Sequence, residues 1–447
     1  MGHFVPHTDD ETEAMLAFLG LSSVDDLFAH IPEAIRLAGG LDLAPGAAEA
    51  DVLGALGGLA SRNHPATGDL VCFAGGGAYD HEIPSAVRSL AGRSELVTSY
   101  TPYQPELAQG VLQALFEYQS MLCAITGMDV ANASLYDAAS AAVEGLNLAA
   151  AATGRKLVWV SRALHPNVRA VIRTFAAGSG LDVREAPLEG GMTVWPDDLG
   201  EPGALLVGYP NYLGCLEDVA GAATRAHEAG ALLVALVDPV AAGLLKSVGD
   251  LGADVAVGEG QAFGMPLAFG GPYVGLFACK QAPYVRRHLP GRVVGETLDA
   301  DGRRSYVLTL STREQHIRRA TASSNVCTNQ TLIAITAALQ MAWLGPDGLR
   351  ELALRCARGA RYAREQLTAI AGVQQAASAD GLYEFALNVP IAADLLLDRL
   401  AEEGYLGGLA LTPDYPELGE ALLVTVTETR TRSEIDGFAT AFQKAVA

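Results

Sequence analysis

The stretch ALLVALVDPVAAGLLKSVGDLGADVAVGEGQAFGMP (231–266) carries two apolar runs, one closing on Asp238 and one leading to Gln261. Neither run alternates with polar residues, as expected of strands covered on both faces of a parallel or mixed sheet. The same pattern repeats upstream. KLVWVS (156–161), LDVREA (181–186) and ALLVGY (204–209) read as strands, and NVRAVIRTFAA (167–177) and 217–229 read as helices between them. PELAQGVLQALFEYQSMLCAI (105–125) places Leu107, Val111, Leu112, Leu115, Phe116 and Leu122 on one helical face and ends at Gly127. An alanine-rich helix over 138–152 closes at Gly154. The alternation predicts an α/β fold with a sheet between two helical layers.

At 447 residues the chain is too long for one ordinary core. Residues 1–60 read as a helical arm. Thr8 caps its first helix with Glu11 in the capping-box position, DDLFAHIP ends a second helix before Pro32, and a Gly/Ala/Pro-rich loop follows over 39–50. Residues 61–344 form the large domain. A helix over 328–343 breaks at Gly345-Pro346, and 345–447 then read as a small α/β domain. Its elements are a helix (347–370), the strand YEFALNV, a helix (391–403), the strand ALLVTVT and a helix (432–446).

A formal charge of -21 argues against nucleic acid and anionic membranes, both of which call for concentrated Lys and Arg. The arginine pairs 286–287 and 318–319 read as solvated helix faces. The six cysteines form no CxxC pair and sit mostly in apolar stretches, the pattern of reduced thiols. MGHFVPHTDDETE has no basic and apolar leader pattern, Pro6 spoils a myristoylation signal, and no apolar run suits a bilayer span. These features predict a cytoplasmic protein. The histidines show no metal-ligand spacing, so no metal is expected. GGG (75–77) and GMPLAFGGPYVG (264–275) match neither a Walker loop nor a dinucleotide fingerprint, and instead suit positive-φ turns and close backbone approach.

Ligands of such sheets bind at the carboxyl ends of strands, which gathers Asp238, Tyr209-Pro210-Asn211 and Ser161 to His165. Asp238 either pairs with a pyridinium nitrogen or opens an Asp-Pro turn. His165 either stacks on a ligand or belongs to a turn. SYTPYQPE (99–106) is either a capped helix start or a set of phenol and amide donors, with Tyr100, Thr101, Tyr103 and Gln104 as candidates. ATASSNVCTNQ (320–330) offers Ser324, Asn325, Thr328 and Asn329 to an anion, or Thr328 or Asn329 as a plain N-cap. After the second apolar run, a pyridoxal-phosphate (PLP) enzyme of this pattern keeps its Schiff-base lysine. The chain has four lysines, Lys156, Lys246, Lys280 and Lys444, and Gln261 stands in that place.

Several of these segments together resemble the first (alpha, N-terminal-type) subunits of two-chain glycine dehydrogenase (decarboxylating), the P-protein of the glycine cleavage system. They include VPHTDDE, SYTPYQPELAQGVLQALFEYQ, ANASLYDAASAAVEG, HPNVRAV, GADVAVGEGQAFGMPLAFGGPYVG, LPGRVVGET and REQHIRRATASSNVCTNQ. The resemblance implies a PLP-dependent transferase fold of the aspartate aminotransferase type, with a three-layer αβα large domain and a small C-terminal α/β domain. It implies a reaction in which glycine condenses with PLP, loses CO2, and yields its aminomethyl group to the lipoyl arm of the H-protein. It further implies that PLP is carried by a second, lysine-bearing subunit, with the active site at the interface and no catalytic residue on this chain alone. Tyr100, Thr101, Tyr103, Gln104 and His165 would then face an interfacial pocket. Ser324, Asn325, Thr328 and Asn329 would reach towards the partner's PLP, and Asp238 would be a vestige filled in by side chains. The alternatives are a scaffold that docks the partner or the lipoyl carrier without sharing in the chemistry, and a self-sufficient PLP enzyme using Lys246 or Lys280.

Overall fold

A computed structural model describes residues 6–37, 39–65, 68–97, 100–282, 287–379 and 381–447. Ser99 of SYTPYQPE and Arg286 of the first arginine pair lie outside the described residues. The chain divides into two units, Met1–Asn63 and His64–Ala447.

In the first unit, helix α1 (Asp9–Leu19) starts at the expected capping box: Thr8 Oγ1 accepts from the Glu11 N–H and Glu11 Oε2 from the Thr8 N–H. Gly20, at φ 70°, ends it in the left-handed region. DDLFAHIP is not the end of an α-helix. The Asp26 carboxylate accepts from the Ser22 and Ser23 N–H groups, which tightens the segment into a 3₁₀ turn, Val24–Phe28. The end of the expected loop instead begins helix α2 (Glu49–Ala60). None of the described residues of this unit is buried.

The second unit is built on a seven-stranded sheet. Its strands in chain order are β1 (Val130–Ala131), β2 (Leu157–Ser161), β3 (Asp182–Ala186), β4 (Pro202–Tyr209), β5 (Leu232–Val237), β6 (Val255–Glu259) and β7 (Gly275–Cys279). They lie side by side as β1-β7-β6-β5-β4-β2-β3. Neighbours from β3 to β6 run parallel, and β7 runs antiparallel to both β6 and β1. Along β4, Ala204 and Leu206 enter one hydrophobic cluster while Leu205 and Val207 enter another on the opposite face. Both faces are therefore covered, which is why these strands read as unbroken apolar runs. Burying each such Leu or Val contributes about 1.5–3 kcal/mol.

The flanking helices are α3 (Gln109–Thr126), α4 (Ala138–Thr153), α5 (Pro166–Ser179), α6 (Val219–Glu228) and α7 (Thr331–Thr368). Helix α4 is alanine-rich because it lies close on the sheet: a Cβ on Gly145 would come within 3.0 Å of Val234 Cγ1. Helix α7 is two helices joined at Gly345, whose φ of 59° and ψ of -177° break the helical path before Pro346. By length and composition its span would suit a membrane, but Ala334, Ile335, Ala353 and Cys356 are buried in the core. Helix α3 begins four residues later than its periodicity predicts. The Gln109 amide donates to Pro105 O and Tyr306 O, so 104–107 fold as turns and Leu107 is left 83% exposed. Helix α7 likewise begins at Thr331, capped by neither Thr328 nor Asn329, because the Asn329 amide donates across to Ala133 O.

A four-stranded antiparallel sheet completes the unit, ordered β8-β9-β11-β10, with β8 (Gln374–Gln375), β9 (Glu384–Asn388), β10 (Leu409–Ala410) and β11 (Ala421–Thr425). Helices α8 (Ala393–Glu402) and α9 (Arg432–Val446) accompany it. Phe438 of α9 stacks on Phe73, with centroids 4.0 Å apart.

Candidate functional site

A cavity of about 410 Å³ lies at the carboxyl ends of the central strands. His165 reaches it from beyond β2, Asn211 from beyond β4, Asp238 from beyond β5, and Glu259 and Gln261 from the end of β6. The start of α4, the Gly75–Tyr79 loop, and Tyr383-Glu384 of the smaller sheet close it. Switch-point geometry of this kind is where open α/β sheets bind ligands.

Asp238 opens the Asp-Pro turn that one of its two sequence readings expects. Oδ1 accepts from the Val240 N–H at 2.8 Å and the Ala241 N–H at 3.3 Å, which forms the Asp-Pro turn. Oδ2 accepts from the Tyr383 hydroxyl on the cavity side, and burial raises the carboxyl's pKa. His165 is the N-cap of α5: its Nδ1 accepts from the Asn167 N–H at 3.0 Å, ahead of Pro166 at the first helical position. Its ring meets the edge of Tyr212, with centroids 4.8 Å apart, and burial lowers its pKa, favouring the neutral ring.

Gln261 is 1% exposed and fully engaged. Its Oε1 accepts from the Tyr79 N–H at 2.8 Å, and its Nε2 donates to Tyr79 O at 2.9 Å and Met265 O at 2.7 Å. Tyr79 in turn donates its hydroxyl to Glu384 Oε2 at 2.9 Å. The glycines of 75–77 act as the sequence suggests, because a Cβ on Gly75 would stand 2.2 Å from Thr425 Oγ1. That approach lets the Gly76 N–H reach Glu384 Oε1 at 2.7 Å.

Two functional carboxylates escaped the sequence reading. Burial pushes Glu259 and Glu384 each up to about 7. Glu384 also accepts from the Thr425 hydroxyl, and Glu259 accepts from the Ala138, Gln261 and Val274 N–H groups. The legible signal was a glutamate inside the apolar strand YEFALNV and another closing ADVAVGE.

The other two candidate motifs meet each other and do not line the cavity. The Tyr100 hydroxyl lies 3.4 Å from Thr328 Oγ1. Arg292 donates to Thr101 Oγ1 at 3.3 Å, and its guanidinium lies 5.4 Å from the Tyr103 ring centroid. Tyr100, Tyr103, Gln104 and Asn325 are exposed. Asn329 is buried and holds its loop to Ala133, the Ser324 hydroxyl accepts from the Val326 N–H at 3.1 Å, and burial pushes Glu144 up to about 7. Among the described residues, His81, Cys356 and Glu428 bring three metal-ligand types together. Within that cluster, Glu428 Oε2 is hydrogen-bonded to His81 Nδ1 at 2.7 Å and accepts from the Cys356 thiol at 3.4 Å.

PLP needs a lysine for the Schiff base and cationic or N–H donors for its phosphate. Among the described residues, neither a lysine nor an arginine lines the cavity. Lys280 is bonded to Gly127 O, Lys156 to Ser179 O and Lys444 to Glu403, and Lys246 lines a separate small hollow. At the start of α4, where a phosphate would be expected to dock, Asp137 Oδ1 takes the Ser140 N–H at 2.7 Å and Glu259 takes the Ala138 N–H at 3.1 Å. The residues present do not fit PLP. The site is also not filled in by side chains, as a vestige would be; it remains an open cavity with its carboxylates turned towards it.

The family described as Glycine cleavage system P-protein matches residues 2–442. A probable glycine dehydrogenase (decarboxylating) subunit 1 of Desulforamulus reducens is 46% identical, over 97% of this chain and 97% of the relative. A crystal structure of glycine decarboxylase (P-protein) of the glycine cleavage system, in inhibitor-bound form, superposes with a TM-score of 0.91 at 44% identity, covering 99% of this chain and 100% of that one. An alanine–glyoxylate aminotransferase from Nostoc sp. shares the fold alone, with a TM-score of 0.58 at 16% identity, covering 91% of this chain and 98% of its own.

Proposed function

The chain belongs to the glycine cleavage system P-protein family, and on that premise we propose that it is the subunit that carries no cofactor in a two-chain glycine dehydrogenase (decarboxylating). The enzyme decarboxylates glycine, and its PLP hangs from a lysine of the second subunit. The aminomethyl group passes to the lipoyl arm of the H-protein. The observation that carries this division of labour is Gln261, whose amide is spent on three hydrogen bonds at the position where this fold keeps its Schiff-base lysine.

The exposed group of Tyr100, Tyr103, Gln104 and Asn325, braced by Thr101, Arg292 and Thr328, is then the surface that this chain turns towards the partner's cofactor. Phenol and amide donors suit carboxylate and phosphate oxygens. Ser324 and Asn329 hold the 320–330 loop in place instead of touching ligand, and His165 and Asp238 belong to this chain's own cavity. The compartment we assign is the reducing cytoplasm, which suits a sequence whose six cysteines form no CxxC pair.

Glycine–bicarbonate exchange provides the test. The purified chain alone should show none, and adding the second subunit should restore it. Exchange by the chain alone, or a pyridoxyl-lysine found after borohydride reduction with PLP, overturns the reading. Replacing Tyr100 with Phe and Asn325 with Ala separates a shared site from a scaffold: turnover should fall while assembly survives, and unchanged turnover would favour the scaffold.

A further inference from the structure

We propose that the cavity at the strand ends binds a small organic cation, a primary ammonium on an apolar or aromatic body. Its volume of about 410 Å³ falls in the range of small-molecule sites. All its charged side chains are of one sign: Asp137, Asp238, Glu259 and Glu384 line it, with no lysine or arginine. Four tyrosines, Tyr79, Tyr212, Tyr273 and Tyr383, stand in a wall otherwise made mostly of glycine and aliphatic residues. Carboxylates beside tyrosine rings are the chemistry that recognises an alkylammonium, because the ring faces attract the charge and the carboxylates neutralise it.

The same walls reject an anion. Two of the α4 N–H groups, those of Ser140 and Ala138, already go to Asp137 and Glu259. The carboxylates are also held in place before any ligand arrives: three backbone N–H groups fix Glu259, and Gly76, Thr425 and Tyr79 fix Glu384. Burial holds both near half-protonation at neutral pH, so a cation placed between them would favour their ionised forms. The cavity thus keeps the position of a cofactor site while inverting its charge preference. Where PLP sits in the assembled enzyme is a separate question, answered by a separate arm of the test.

The experiment is calorimetric titration of the full chain with three probes sharing one ring: benzylamine, benzyl alcohol and phenyl phosphate. Benzylammonium should bind at one site per chain, at least about ten-fold more tightly than benzyl alcohol, and phenyl phosphate should not bind. Glu384→Gln should weaken benzylammonium about ten-fold and leave benzyl alcohol unchanged, with circular dichroism confirming the fold. If that variant does not fold, Asp238→Asn takes its place, and the probe series on the parent chain stands without either. Benzylammonium binding no better than the alcohol, binding at many weak sites as the net charge of -21 alone would cause, or binding unchanged in the variant would overturn the proposal. Titration with PLP separates the two readings. Stoichiometric PLP uptake in this cavity sinks the division of labour as well, whereas PLP excluded and the cation unbound sinks only this inference.

Discussion

Gln261→Leu tests whether the buried Gln261 amide is a structural clamp. Leucine nearly preserves the volume, so the packing change is small and the loss is polar. Three backbone groups lose their partners: the Tyr79 N–H, the Tyr79 carbonyl and the Met265 carbonyl, now bonded at 2.7–2.9 Å. A buried backbone group left unpaired costs about 1–3 kcal/mol, and Tyr79 borders the cavity, so water relieves part of the loss; the expected total is about 3 kcal/mol. Urea unfolding followed by fluorescence of Trp159, Trp195 and Trp343 reads it as a lower midpoint with an unchanged slope. Gln261→Lys is the informative companion. An ammonium can donate to the two carbonyls but leaves the Tyr79 N–H unpaired, so a smaller loss of about 1–2 kcal/mol is expected. It should form no Schiff base with PLP, since the carboxylates around the start of α4 remain. A Leu variant within about 0.5 kcal/mol of the parent would refute the clamp, because surface-like neutrality is incompatible with three buried partners.

The pH dependence of stability should carry the signature of the buried glutamates. Burial raises Glu384 from 4.5 to about 7, so unfolding releases a proton between those values; its stabilisation is complete below pH 4.5 and is lost as pH rises through 7. The loss amounts to about 3 kcal/mol at most for this group, and Glu384→Gln should flatten the urea midpoint between pH 5 and about 8 relative to the parent, with Glu144 and Glu259 keeping a residual slope in the same direction. Gly145→Val should lower the melting temperature through a loss of about 1–3 kcal/mol, since even its Cβ would stand 3.0 Å from Val234 and 3.3 Å from Val257; an unchanged melting temperature would mean that α4 can lift off the sheet freely. Arg292→Ala removes the brace under Tyr103 and Thr101 and should weaken association with the second subunit about ten-fold in sedimentation titrations, with the chain's own unfolding little changed.

The centre of the large sheet was legible because strands β2, β4, β5 and β6 are covered on both faces and leave apolar runs in the sequence, whereas the edge strand β3 is charged and partly exposed. Helix ends were legible where a glycine must take positive φ, as at Gly127, Gly154 and Gly345. Starts were less so. Helix α3 starts late because Gln109 bonds to Tyr306, a partner nearly two hundred residues away that periodicity does not reveal. The cavity followed the same division. His165, Asp238 and Gln261 stand at strand ends, which local pattern locates. Glu259 and Glu384 acquire their meaning from distant donors, Glu384 from Gly76 and Tyr79 across more than three hundred residues. The 99–106 and 320–330 motifs were chosen for composition, and composition cannot say which wall of a molecule a loop joins.

The cavity's polar residues also tie the two sheets together without a ligand. Gln261 binds the end of β6 to Tyr79, Tyr79 binds Glu384 at the start of β9, and Tyr383 beside it binds Asp238 at the end of β5. These bonds run from the seven-stranded sheet to the four-stranded one. Once such groups carry the contact between the two sheets, removing the ligand no longer leaves them unsatisfied. A retained aspartate at the end of a central strand is then no sign of a retained cofactor. The diagnostic feature is what its second oxygen bonds to, and here that is a tyrosine of the chain itself.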